Sequence, residues 1–189
     1  YRHAGPSGRL AIALNNVSYD RYYLAGDYVQ ALDHLTEALE VAQAAGHPRA
    51  QVLVLLSTAD LYSDLGAVEQ AMSLYTKADQ LAKRLGDTNL VNFALAGIAQ
   101  ARLREGDALA ALSLATQARD QAERRKDIYQ LGLCCLTLGA AHLKVGDNKA
   151  ALREIARGRD LLAQSDARRE LTRAYALLAR ACRAAGDDA

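Results

Sequence analysis

Small, large and polar side chains recur along this chain on a stride of forty residues, and glycine marks the stride at Gly26, Gly66, Gly106, Gly146 and Gly186. Small residues keep fixed offsets from these glycines. Five residues on stand Ala31, Ala71, Ala111 and Ala151; twelve on, Ala38, Ala78, Ala118 and Gly158; seven before, Tyr19, Ala59, Ala99, Gly139 and Ala179. A large apolar side chain follows the first alanine column, at Leu32, Met72, Leu112 and Leu152. Recurring small residues let two helices approach closely while large neighbours fill the remaining space.

A second punctuation lies halfway between the glycines: "GHP" at Gly46, "GDT" at Gly86, "KDI" at Lys126 and "SDA" at Ser165. The chain is thus cut about every twenty residues, with glycine as the usual C-terminal stop and Asp, Thr or Ser capping the next helix. Pro48 suits a first helical turn, where its missing N–H costs nothing. The pattern predicts an all-α chain of about nine helices, over residues 10–25, 28–45, 48–65, 68–85, 88–105, 108–125, 127–145, 148–164 and 167–185. Each would be about 27 Å long at ~1.5 Å per residue. One hairpin buries only part of its apolar face, so neighbours must stack to complete a core, as in an α-solenoid.

Near-copies of one peptide carry a family resemblance: "LAGDYVQAL" from Leu24, "REGDALAAL" from Arg104, "KVGDNKAAL" from Lys144 and, more loosely, "DLGAVEQAM" from Asp64. With their flanks, as in "DRYYLAGDYVQALDHLTEAL" and "LGAAHLKVGDNKAALREIARG", they resemble the tetratricopeptide repeat across essentially the whole chain. The chain departs from that family in its stride, which is usually 34, and in lacking the family's Trp and closing Pro. Its forty-residue stride looks like the longer-helix arrays of large bacterial transcriptional regulators of the maltose-activator and antibiotic-regulator kinds, and of kinesin light chains. The resemblance implies a right-handed superhelix of antiparallel helix pairs, with repeats over about 12–46, 47–86, 87–126 and 127–166 and a partial one over 167–189, behind a flexible segment at 1–9. The opening "YRHAGPSGRL" is neither a signal peptide nor a natural initiator, and the array breaks off at "DDA"; a piece of a longer protein is expected.

The same resemblance places the residues ten, six and three before each turn glycine along a concave groove. These are Asn16, Asp20 and Tyr23; Leu56, Asp60 and Ser63; Ala96, Gln100 and Leu103; Leu136, Ala140 and Leu143; Ala176, Arg180 and Arg183. The first two rows offer carboxylates and amides, the middle two are apolar and the last is basic. Leu56, Ala96, Leu103, Leu136 and Leu143 are expected to form an exposed apolar strip. A directional peptide or amphipathic helix would suit such a gradient. The family's carboxylate clamp is not matched, because Leu56 stands where the residue after Asn16 in that pattern should be polar.

Composition narrows the function classes. There is no Trp, one Phe, two Pro, and 51% of residues are hydrophobic, which favours uninterrupted helix and a substantial core. A formal net charge of +1 gives no bulk steering toward nucleic acid or an anionic membrane, and no apolar run is expected to reach the roughly 18 residues of a membrane span. Cys134, Cys135 and Cys182 are an odd count with two adjacent, so they spell neither a disulfide framework nor a CxxC site. They read as buried apolar fillers in a reducing cytoplasm. His3, His34, His47 and His142 are scattered, with no HExxH and no Cys/His cluster. Gly5-Pro-Ser-Gly8 is no phosphate loop, and Ser7, Ser57 and Ser113 lack a GxSxG elbow. The Gly-Asp pairs lack a calcium loop and are explained by capping.

The Arg-rich stretch "DARRELTRAYALLARACRAAG" reads as a solvated face that, in a longer parent protein, pairs with acids on the next helix, or as a site for an anion or acidic peptide. The expectation is a non-catalytic protein- or peptide-binding array without cofactor or metal. It is read as the sensor or oligomerisation region of a larger bacterial signalling or transcriptional regulator, whose partners are a protein or peptide, other domains of its own chain, or a second copy. The alternatives are a stand-alone scaffold and a small-molecule inducer sensor.

Overall fold

The computed structural model describes residues 7–165 and 167–186, and regular structure among them is helical. The elements are α1 (Gly8–Val17), a π-helical stretch (Ser18–Tyr23), α2 (Tyr28–Ala44), α3 (Pro48–Asp64), α4 (Val68–Leu85), α5 (Thr88–Glu105), α6 (Ala108–Arg125), α7 (Ile128–Val145), α8 (Asn148–Gln164) and α9 (Arg168–Ala185). The predicted boundaries hold to within two residues. Gly8 and Arg9, expected in the N-terminal segment, lie in α1, and residues 1–6 lie outside the described part.

The chain divides into two compact units, one ending at Gly97 and the other beginning at Ile98 within α5. In the first, α1 packs on α2 and α3, α2 on α3, and α3 on α4. In the second, α7 packs on α6, α8 and α9, and α8 on α9. Each unit therefore stacks helical hairpins, with alternate helices side by side, in the manner of an α-solenoid.

The links explain the Gly-Asp pairs. Gly146 ends α7 at φ 83°, a left-handed conformation that costs glycine little, and the Asp147 amide donates to the His142 carbonyl at 3.0 Å. The Asp147 side chain then accepts from the Ala150 amide at 2.9 Å and caps α8. One dipeptide both closes a helix and opens the next, so the chain must turn back on itself. Asp27, Asp87, Asp107 and Asp127 cap in the same way, each contributing about 1 kcal/mol. His47 replaces them before α3, its Nδ1 accepting from the Ala50 amide at 3.2 Å. Lys126 takes the glycine's place after α6 at φ 57°. The cap expected from "SDA" fails in the described part: α9 starts after Ala167, which has no side-chain acceptor, and Asp166 lies outside it.

The small columns lie where helices touch. Ala31, Ala71, Ala111 and Ala151 are fully buried. A Cβ added to Gly139 would sit 3.1 Å from the Ala151 carbonyl oxygen, and one on Gly158 would sit 2.9 Å from that of Gly132. Backbones approach side chains directly at these points. The deep fillers are Leu35, Tyr75 and Ile155, nine residues after the glycines, whereas Leu32, Met72, Leu112 and Leu152 are half-buried.

The first hairpin breaks the column by one residue. Seven before Gly26 stands Tyr19, too large for a slot that Ala59, Ala99 and Gly139 fill from full burial. The coil widens over Ser18–Tyr23, with the Leu24 amide donating to the Tyr19 carbonyl at 3.1 Å. Tyr19 swings outward, and Ser18 enters the slot, its hydroxyl donating to the Ala31 carbonyl at 2.8 Å. Upstream the register is one residue early, so Ala11 takes the place held in α3 by Val52.

One composition-based expectation is corrected. α7 is long and apolar enough to span a membrane by length and composition, with a mean hydropathy of 1.3 over 18 residues. Its apolar character serves a helix walled by α6, α8 and α9.

Two stability measurements check this packing. Ala151→Leu should overpack the α7–α8 contact and cost on the order of 1–3 kcal/mol in denaturant unfolding, while Leu109→Ala, at a residue 73% exposed, should stay within about 0.5 kcal/mol. Lys126→Gly should raise stability by on the order of 0.5–1 kcal/mol, by relieving the one non-glycine positive φ among the described residues.

Candidate functional site

The groove positions expected from the repeat separate into two kinds. Those ten and three residues before the turn glycines are mostly inside. Leu136 is fully buried against Ala151, Ile155 and α9, Leu103 packs with Ala108, Ala111 and Ala141, and Tyr23, Leu56 and Ser63 are buried in the first unit. Leu143 and Ala96 are half-buried. The exposed apolar strip therefore does not exist in that form: in helices this long, those positions turn into the neighbouring helix. Asn16 is displaced too, since the one-residue shift gives its place to Asn15, whose side-chain oxygen is buried.

The residues six before each glycine stay accessible. In the first unit these are Asp20 and Asp60, both exposed; in the second, Gln100 and Ala140 are half-buried and Arg180 is exposed, as is Arg183. Several polar groups in and beside the rows are engaged within the fold. The Tyr23 hydroxyl donates to Asp64, the Tyr75 hydroxyl donates to Asp60, and the Tyr129 hydroxyl donates to Glu170 at 3.1 Å. Gln100, with its amide oxygen toward α9, accepts from both terminal nitrogens of Arg173. On the side of α6 and α8, Arg157 pairs with Glu123 at 2.5 Å and Arg119 with Glu154 at 3.5 Å.

Two features escaped sequence reasoning. Around the π-helical stretch Tyr19, Tyr23 and Tyr28 form an aromatic run, with ring centroids 5.3 and 6.0 Å apart, and Leu24 and Val29 are exposed beside it. The crowding of tyrosine in "SYDRYYLAGDY" was the available signal. A shallow, open recess of about 440 Å³, lined by Tyr62, Glu69, Gln70, Ser73 and Leu74, lies at the α3–α4 turn, and no motif marks it.

No group of three His, Cys, Asp or Glu side chains among the described residues is placed to hold a metal ion. All three cysteines are free thiols. Burial pushes Cys134 and Cys135 from 9.0 up to about 12, helped by the negative charges of Asp127 and Glu154 respectively. These are inert thiols rather than nucleophiles.

A model of the family described as "Anaphase-promoting complex subunit 5" matches residues 16–105 and again residues 99–179, together most of the chain. The chain belongs to that family. The double match fits the internal repeat, since two forty-residue strides bring the subunit 5 pattern round again. Solved structures share the helical-repeat fold of this family member. BtubC (BKLC) from P. vanneervenii is 19% identical with a TM-score of 0.71, covering 95% of this chain and 74% of its own. A Rap protein complexed with competence and sporulation factor is 14% identical with a TM-score of 0.69, covering 97% of this chain and 61% of its own. No curated protein matches the sequence.

Two outcomes follow from the buried residues. Leu136→Ala should cost about 2–5 kcal/mol, read by thermal or denaturant unfolding, as expected of a core leucine. The raised thiol values add stability that is fully present below the unfolded value of 9.0 and is lost as pH rises toward about 12, since the unfolded chain releases protons the fold retains. Unfolding titrations across that window should flatten in the Cys134→Ala/Cys135→Ala double variant, and under native conditions near neutral pH a thiol reagent should modify half-buried Cys182 first.

Proposed function

We propose that this subunit 5 family member is a non-catalytic module that binds a protein or peptide through accessible side chains of the odd-numbered helices in each of its two units. The observation that carries this reading is the division of labour in those rows. Tyr23–Asp64, Tyr75–Asp60 and Gln100–Arg173 hold helices together, while Asp20 in the first unit and Arg180 in the second present charge to solvent. Side chains held on stacked hairpins suit an extended or helical ligand, and the exposed charge in each unit selects a ligand segment of opposite charge.

The finer reading places the module in a larger cytoplasmic assembly, as the sensor or oligomerisation region of a signalling or transcriptional regulator. The forty-residue stride supports it, as does the Rap structure, a fold neighbour complexed with a factor. The family name supports membership of a multi-subunit complex as the other setting for the same binding role.

Fluorescence anisotropy with two sets of fluorescein-labelled fifteen-residue peptides, one basic and one acidic, tests the binding role. Asp20→Lys should weaken the basic set and Arg180→Glu the acidic set, each by about tenfold or more, equivalent to ~1.4 kcal/mol, with unchanged circular dichroism. Absence of binding in both sets, or affinities indifferent to both substitutions, overturns the proposal.

A further inference from the structure

The recess at the α3–α4 turn is lined by polar side chains that the fold leaves unused. Tyr62 comes from the last turn of α3, and Glu69, Gln70, Ser73 and Leu74 from the first two turns of α4; together they line about 440 Å³, a volume in the range of small-molecule sites. The side chains of Tyr62, Glu69, Gln70 and Ser73 make no hydrogen bond, ion pair or ring contact among the described residues. The hairpin is an interior one, with α2 packed on α3 before it and α5 following it, so the recess is not the uncovered end of a stack. The position of Glu69 stays open in each hairpin, since Val29, Leu109 and Lys149 are exposed as well, and it carries a carboxylate in this hairpin alone.

The first hairpin shows what such a place can hold. Forty residues before Tyr62 stands Tyr22, whose ring centroid lies 4.7 Å from that of His34 and 5.8 Å from the Arg21 guanidinium. His34 is the counterpart of Leu74, and Arg21 that of Leu61, which is buried. The second hairpin thus keeps the tyrosine and lacks both the cation and the ring that attend it. A cation supplied from outside would meet the Tyr62 face, with Glu69 as its counter-charge and the Gln70 carbonyl and Ser73 hydroxyl as acceptors. Leu74 gives an aliphatic stem something apolar to lie on. Lys77 stands two turns beyond Glu69 on α4, outside the recess, so the cation belongs at the Glu69 end. Guanidinium suits the place better than ammonium, because it is planar, stacks on aromatic faces and gives up its hydration more readily. We propose that this recess binds a guanidinium group on a short aliphatic stem, carried by a free small molecule or by an arginine side chain of a partner. The site uses neither Asp20 nor Arg180 and does not rest on the ligand row being used.

Titration of the full chain, followed by NMR, tests the site with three probes: butylguanidinium, a Gly-Ser peptide carrying a single Arg, and butylurea as the neutral counterpart. Butylguanidinium should shift the Tyr62 ring signals and the amides of Glu69, Gln70, Ser73 and Leu74 in a saturable way, and butylurea should not. Glu69→Gln should weaken butylguanidinium by about fivefold or more through loss of the counter-charge. Tyr62→Leu should weaken it by a similar factor while Tyr62→Phe retains it, because the ring face rather than the hydroxyl meets the cation. Ser73→Phe, at an exposed residue, should fill the recess and weaken binding with unchanged circular dichroism. Asp20→Lys, which tests the ligand row, should leave the affinity as it is, so the two proposals fail separately. Tighter binding of the Arg peptide than of butylguanidinium assigns the recess to a partner's side chain, and binding of butylguanidinium alone assigns it to a free small molecule; either supports the site. No saturable shift at these residues with either cation, equal binding of butylurea, or affinities indifferent to both Glu69→Gln and Ser73→Phe would each overturn the proposal.

Discussion

Close approach between a helix backbone and the side chains of the next helix is the constraint on which the hairpins depend. At Gly139 and Gly158 there is no room for a Cβ without moving Ile155, a carbonyl oxygen or Leu136, so small residues are required there by geometry rather than tolerated. The same closeness fixes how deep the large side chains can sit. Leu35, Tyr75 and Ile155 are driven fully inside because the helices flanking them are held near by the small columns. Alanine and glycine do the ordering in this core and the large residues supply the burial.

Most of the fold was legible because the repeat states it several times. A glycine that closes one helix beside an aspartate that opens the next is a local signal, and the capping contacts at Asp27, Asp107, Asp127 and Asp147 reproduce it almost unchanged. Where the text of the repeat deviates, the structure finds a substitute the sequence does not announce. His47 caps through a ring nitrogen, and Lys126 adopts a glycine's backbone angles. The membrane-like apolarity of α7 is a property of the whole window, because Gln130, Thr137, His142 and Lys144 interrupt any continuous apolar run while the mean stays high.

The candidate site was less legible, for a physical reason. A repeat register says which residues are equivalent, but not how far each helix is rotated toward its neighbour. Leu136 and Asp60 were placed on one surface by their offsets, yet the first is sealed in the core and the second is exposed and bonded to Tyr75. Rotation is decided by tertiary packing, through residues on other helices. Charge was more robust: Asp20 and Arg180 remain accessible because ionised groups seldom enter a core unpaired.

The π-helical stretch shows how a periodic protein can absorb an irregular residue. By housing one extra residue in a widened coil, α1 keeps its closing glycine, its link and its partner helix in place while everything upstream shifts by one. The link to α2 is therefore kept independently of the number of residues in the helix it closes. Single-residue insertions need not scramble an array of this kind; they can be quarantined within one turn. The displaced side chain, here Tyr19, becomes new surface chemistry at no cost to the stack, which makes such a stretch a natural place for otherwise uniform repeats to diversify.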